Sequence, residues 1–363
     1  MPPALRTPED PEPNTHTAEF ARHTPVYDTP PEPLRPPTIH KARVEERRPP
    51  TPGLPSSPDG RYTYKLDPEK TYGLSVEEID RLYQQATAKL RDAAKFKGAR
   101  KPTAQEEDIV LRFSDSVIAH GDKMGFDLRS RITLPEHVNI FPEHEDFAAA
   151  RETPQAQSRG TYTPHQGVMV IERHNLLDNV YGILHEITHG FSNLLVTPHL
   201  EQQPDGSVLL DAAKSKVVVG WSTMGKAHPH AATESAVDME THRGMLDIGL
   251  PRIVPGYTVG SLLLSGIVVD TAKRMSHHRQ TNPQDVEDGI FKSLVSPDLA
   301  GIKMIQGALG EKAVKIFMNL PGNLHSPTMA GYASDDGIGS PTAHAALWAR
   351  NAGVDTGWFN WHE

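Results

Sequence analysis

The chain has 363 residues and a mass of 40.0 kDa, enough for one large or two moderate domains. Its 37 Lys and Arg against 46 Asp and Glu leave a net charge of −9, opposite in sign to the footprint of a nucleic-acid binder. Cysteine is absent, which excludes disulfides, thiolate metal sites, iron–sulfur clusters and cysteine nucleophiles, so any metal must be held by His, Asp or Glu.

Residues 1–60 carry 16 of the 32 prolines and nine large apolar residues, too few to offset the entropy of ordering. A disordered, Pro-rich leader over 1–68 is predicted, with a docking or export partner as its role. It has no apolar core of the kind a Sec signal needs. Ser75 and Glu78 form a capping box with Leu74 and Ile79 as its staple, which predicts a helix to about residue 96. Thr103 with Glu106 repeats the pattern, and a second helix is expected to stop at Gly121. A strand is read over 131–141. Two more lie within 160–173 around a Pro164-His165-Gln166-Gly167 turn, the second being Val168 to Ile171. An apolar helix follows over about 176–196.

Within that helix His185-Glu186-Ile187-Thr188-His189 reads as HExxH. At 3.6 residues per turn the two imidazoles share a face and can reach one ion, while Glu186 can address a water bound to it. A catalytic zinc usually takes a third protein ligand and leaves one position open. Residues 232–242 are expected to be helical and place Glu234 and Asp238 one turn apart. Glu234 is then the third ligand, and Asp238 accepts the free ring N–H of a liganding histidine.

This pattern, HExxH with Glu-x-x-x-Asp beginning 45 residues after His189, resembles the gluzincins, the thermolysin-like zinc metalloproteases. The resemblance covers about residues 160–245. It implies His185, His189 and Glu234 as zinc ligands, Glu186 as general base and Asp238 as the orienting carboxylate. It also implies an edge strand that binds peptide by strand addition, for which Val168 to Ile171 is the candidate. A metzincin would need histidine where Leu195 stands. The family's oxyanion-supporting Tyr or His has no clean match: Tyr257 and His325 are the candidates carried forward, with His277, His278 and Tyr332 also open.

Downstream, helices are read over 257–274, 285–294 and 297–309, and Asp335-Asp336-Gly337 reads as a surface loop without EF-hand spacing. The longest uncharged run, 253–269, holds Pro255, Gly256, Gly260 and Gly266, and no membrane span is expected. The expected fold is α+β and zincin-like: a small mixed sheet packed on the HExxH helix in an upper lobe of about 69–200, with a mainly helical lower lobe of about 201–363. The expected activity is zinc-dependent endopeptidase action on a peptide or protein substrate, in the cytoplasm or after export without a Sec signal, as in bacterial effector proteases. The alternatives are a zinc hydrolase of another amide or ester, and a scaffold that docks through its Pro-rich tail.

Overall fold

The computed structural model describes residues 54–150, 159–173, 175–219, 230–251, 258–276, 281–320 and 341–355. Most of the expected leader lies outside these residues, as do Tyr257, His277, His278, His325, Tyr332 and the Asp335–Gly337 loop. Strand β1 (Tyr62–Tyr64) is buried, so ordered packing begins before the expected boundary at residue 69. Tyr62 and Tyr64 supply the reason: both rings pack against Tyr83 and are almost fully shielded from solvent.

Both predicted capping boxes form. Helix α1 (Val76–Ala93) starts at Ser75, whose hydroxyl accepts from the Glu78 N–H while the Glu78 carboxylate accepts from the Ser75 N–H. Helix α2 (Ala104–Met124) starts in the same way at Thr103 and Glu106. It runs through Gly121, the expected stop, which is buried where a Cβ would come within 2.6 Å of Leu128. Gly125, in the left-handed region at φ 86°, ends it instead.

The 131–141 segment contributes only β2 (Val138–Phe141), because Pro135 opens a short 3-10 turn just before it. After α3 (His144–Ala150), β3 (Gly160–Thr163) and β4 (Gly167–Ile171) make the predicted hairpin. β4 also pairs in parallel with β2, so the sheet order is β2-β4-β3 and β4 is its centre. The expectation of β4 as a substrate-binding edge is therefore wrong: its hydrogen-bonding groups are used on both sides, and β3 is the edge beside it.

Helix α4 (Leu176–Phe191) ends five residues short of the expected limit at 196. The apolar run read as its last turn is the start of β5 (Leu194–Gln202), where Leu194 and Val196 are buried and the residues after each are less so, a strand period. β5 pairs antiparallel with β6 (Val208–Val219) across a turn at Gly206 and in parallel with β1, a second sheet that the sequence reading did not anticipate.

Six helices complete the described chain: α5 (His230–Asp247), α6 (Thr258–Ser276), α7 (Pro283–Val295), α8 (Ala300–Leu309), α9 (Glu311–Met318) and α10 (Pro341–Ala352). The architecture is α+β with two apolar cores. One lies among α1, α2, α4 and both sheets, and the other is built by α5 to α10. Leu210 and Ala212 of β6 belong to the first core, so residues 201–219 lie with the upper elements rather than the lower ones. Helices α5 and α7 feed both: Val237 and Ile290 point into the helical core, Met245 and Phe291 into the other. No helix among the described residues is long and apolar enough to cross a membrane.

Candidate metal centre

Helix α4 is held at both ends. Asn175 caps its start by accepting from the Asp178 N–H at 2.8 Å. At its end the buried Arg131 guanidinium donates to the Phe191 carbonyl at 2.9 Å and to the Val295 carbonyl of α7 at 2.6 Å. A cation at a helix C-terminus suits both the dipole and the unpaired carbonyls there. Burial brings the Arg131 pKa down to about 10, against the pull of Asp59. Thr188 and Thr241 join α4 to α5 through their hydroxyls at 3.0 Å.

Between these helices the predicted ligands meet. Nε2 of His185 lies 2.9 Å and Nε2 of His189 3.1 Å from the same Glu234 oxygen, and all three side chains are buried. One ligand atom from each falls within 4.8 Å of the others, so this group can hold a metal ion. Two imidazole nitrogens and a carboxylate oxygen converging from two helices are a donor set suited to a divalent transition-metal ion.

Asp238, fully buried, lies behind the histidines. Its Oδ1 accepts from His185 Nδ1 at 2.8 Å and from the Tyr181 hydroxyl, and its Oδ2 accepts from the Ser261 hydroxyl of α6 at 3.0 Å. This contact places the His185 proton on Nδ1 when the ring is neutral and turns Nε2 towards the ligand cluster. His242, one turn after Asp238, hydrogen-bonds through Nδ1 to the Asp238 carbonyl oxygen at 2.8 Å and lies beside the Tyr181 ring. The Nδ1 of His189 has no hydrogen-bond partner among the described residues.

The fields within the cluster are strong. Burial opposes charge on His185, but Asp238 and Glu234 outweigh it and raise its pKa well above the usual imidazole value. Burial would raise Glu234, yet His189 and His185 hold it well below the usual carboxylate value. Glu186 behaves differently: burial raises its pKa against the attraction of His189 and His185. Its carboxylate presses on the backbone of Gly160 in β3, where a Cβ would come within 2.3 Å of Oε1. Buried, basic and next to the ligands, Glu186 has the properties a proton-transferring group needs.

The structure thus brings together His185, Glu186, His189, Glu234 and Asp238. Tyr257 and His325 lie outside the described residues. Sequence reasoning missed Tyr181 and Ser261, the other donors to Asp238. Tyr181 carried a usable signal, since it stands four residues before His185 on the same helical face. Ser261 carried none, because its position depends on how α6 packs on α5.

No known protein family, curated protein or solved structure matches the chain.

Proposed function

We propose that this protein is a zinc-dependent endopeptidase of the gluzincin type, with a zincin-like arrangement of its α4 and α5 helices. The observation that carries the reading is the convergence of His185, His189 and Glu234 with a buried Glu186 on the same turn of helix. His185, His189 and Glu234 would hold the ion, which supplies Lewis acidity to the scissile carbonyl and makes water a nucleophile near neutral pH. Glu186 takes the proton of the attacking water and delivers it to the leaving amine. Asp238 keeps His185 oriented as a ligand and shares its charge.

Strand β3 supports a peptide substrate in place of the expected β4. The Ile171 N–H donates to the Arg159 carbonyl at 2.9 Å, which sets the alternation of the hairpin. Gly160 and Tyr162 then turn their backbone N–H and C=O groups away from β4, towards the side of β3 that no described strand pairs, beside Glu186.

Purified protein, dialysed against a weak chelator, is expected to retain about one zinc per chain, lost in His185→Ala. Glu186→Gln is expected to keep the zinc and lose at least a hundredfold in peptide cleavage. Full cleavage by Glu186→Gln would falsify the assignment of the base, and absence of bound metal in the wild type would overturn the reading as a whole.

A further inference from the structure

Arg173 lies two residues past the end of β4, and its half-buried guanidinium is laid against α4. The guanidinium atoms are 3.7 Å from the Cβ position of Gly182, one turn before Glu186 and next to the turn that carries His185. No carboxylate or carbonyl hydrogen-bonds it among the described residues. The acidic groups nearest in sequence are engaged elsewhere: Glu172 pairs with Arg100, and Asp178 is hydrogen-bonded to Asn175 in the cap of α4.

A second arginine stands close by. Arg159 sits opposite Ile171 at the open end of the β3–β4 hairpin and immediately precedes Gly160, the residue that covers Glu186. Arg173, in the connection between β4 and α4, is therefore within electrostatic reach of Glu186, and Arg159, just before β3, is within reach of Arg173. Burial and the like charge of Arg159 hold the Arg173 pKa below the ordinary arginine value, and Asp178 and Glu186 act in the other direction without contact. A partly desolvated cation beside another cation is costly unless an anion completes it. The planar fork of a guanidinium matches the two oxygens of a carboxylate.

We propose that Arg173, assisted by Arg159, forms a carboxylate-binding subsite beside the metal centre, and that the substrate carries an acidic side chain or a free chain end there. The proposal rests on the protease reading for the word substrate, but the subsite itself stands on the position of the two arginines. A peptide laid along β3 would bring its end, or a side chain near the cleaved bond, to this pair. Because a guanidinium discriminates between carboxylate and carboxamide by charge as well as by shape, the selectivity is measurable without turnover.

The test uses the zinc-loaded full chain and two small hydroxamates of equal size, one derived from succinic acid with its free carboxylate and one with that carboxylate replaced by carboxamide. Calorimetry is expected to find the carboxylate form bound at least tenfold more tightly by wild type, with the preference lost in Arg173→Ala at unchanged zinc content. Equal affinities in the wild type, or a preference that survives Arg173→Ala, overturn the proposal. A peptide panel separates the two sources of the carboxylate: an acidic residue moved along the sequence, against a free or amidated C-terminus. Cleavage of peptides with no carboxylate preference at any position sinks the subsite and leaves the protease reading intact. A hydroxamate preference with no cleavage of any peptide does the reverse.

Discussion

The side chain on which the centre turns is Asp238, because it has no contact with the ligand point of its own and acts through His185. Among the described residues it accepts from Tyr181 and His185 on α4 and from Ser261 on α6, and it is fully buried. Removing one of these donors loosens the carboxylate without touching a ligand. Ser261→Ala is therefore expected to weaken binding of the proposed zinc about tenfold, within the range of about 10–100-fold usual for such supporting groups. Competition with a chromophoric chelator reads this directly, and unchanged affinity would show that the Ser261 contact is dispensable. The group that could hold a metal was legible in the sequence because helical spacing converts directly into shared faces, His185 with His189 on one helix and Glu234 with its supporting Asp238 on another. Arg173 was not legible, since nothing in a strand-to-helix connection says which way a side chain will lie.

The elements explain both the successes and the failures of sequence reasoning. Capping boxes at Ser75 and Thr103 located two helix starts to within a residue, because a cap is a local hydrogen-bond pattern. The stop of α2 was misplaced because a buried glycine at 121 serves close packing on Leu128 and not helix termination. The β5–β6 hairpin was missed although Pro204-Asp205-Gly206 marks its turn, since the apolar run at its start was absorbed into the preceding helix. Pairing order is a non-local property, so whether β4 or β3 forms the edge had to come from the structure. One position shows how tightly an element can be tied to a site. Gly160 of β3 leaves 2.3 Å between its Cβ position and Glu186 Oε1, which a methyl group cannot share. Gly160→Ala is expected to displace the Glu186 carboxylate or the strand, with the proposed peptide turnover reduced at least tenfold and bound metal retained. Turnover at the wild-type rate would mean that the strand yields at no cost to the site.

Across the whole molecule, separate parts of the chain are joined by buried charges. Glu106 closes the cap of α2, receives the Arg100 guanidinium at 2.8 Å and accepts from Asn179 of α4 at 2.5 Å, while Arg100 also holds Glu172 beyond β4. Burial would raise the Glu106 pKa, but Arg100 and the Thr103 cap more than offset it and bring it down to about 2, well below the usual carboxylate value. A carboxylate with a depressed folded pKa adds stability above its unfolded value and loses it on acidification. Here the contribution is complete above about pH 4.5 and disappears as pH falls towards 2. Urea unfolding of the chelator-treated protein between pH 7 and pH 3 is expected to show this loss in the wild type. Glu106→Gln should be less stable at pH 7 and flatter below pH 4.5; parallel curves would assign the acid sensitivity elsewhere. His120 makes a comparable junction, with Nδ1 facing Glu240 of α5 at 3.2 Å and Nε2 facing Asp288 of α7 at 3.1 Å.

The division of the apolar interior has one more consequence. The apolar side chains of α4 pack in the first core, whereas α5 enters from the helical core and carries Glu234 at the crossing. An ion gripped by both helices would act as a rivet between two halves that are otherwise sewn together by α5 and α7. The abundance of such a protein in a cell would then follow the supply of its metal: chains left without it would open along this line and be cleared, and the pool that survives would be the pool able to work.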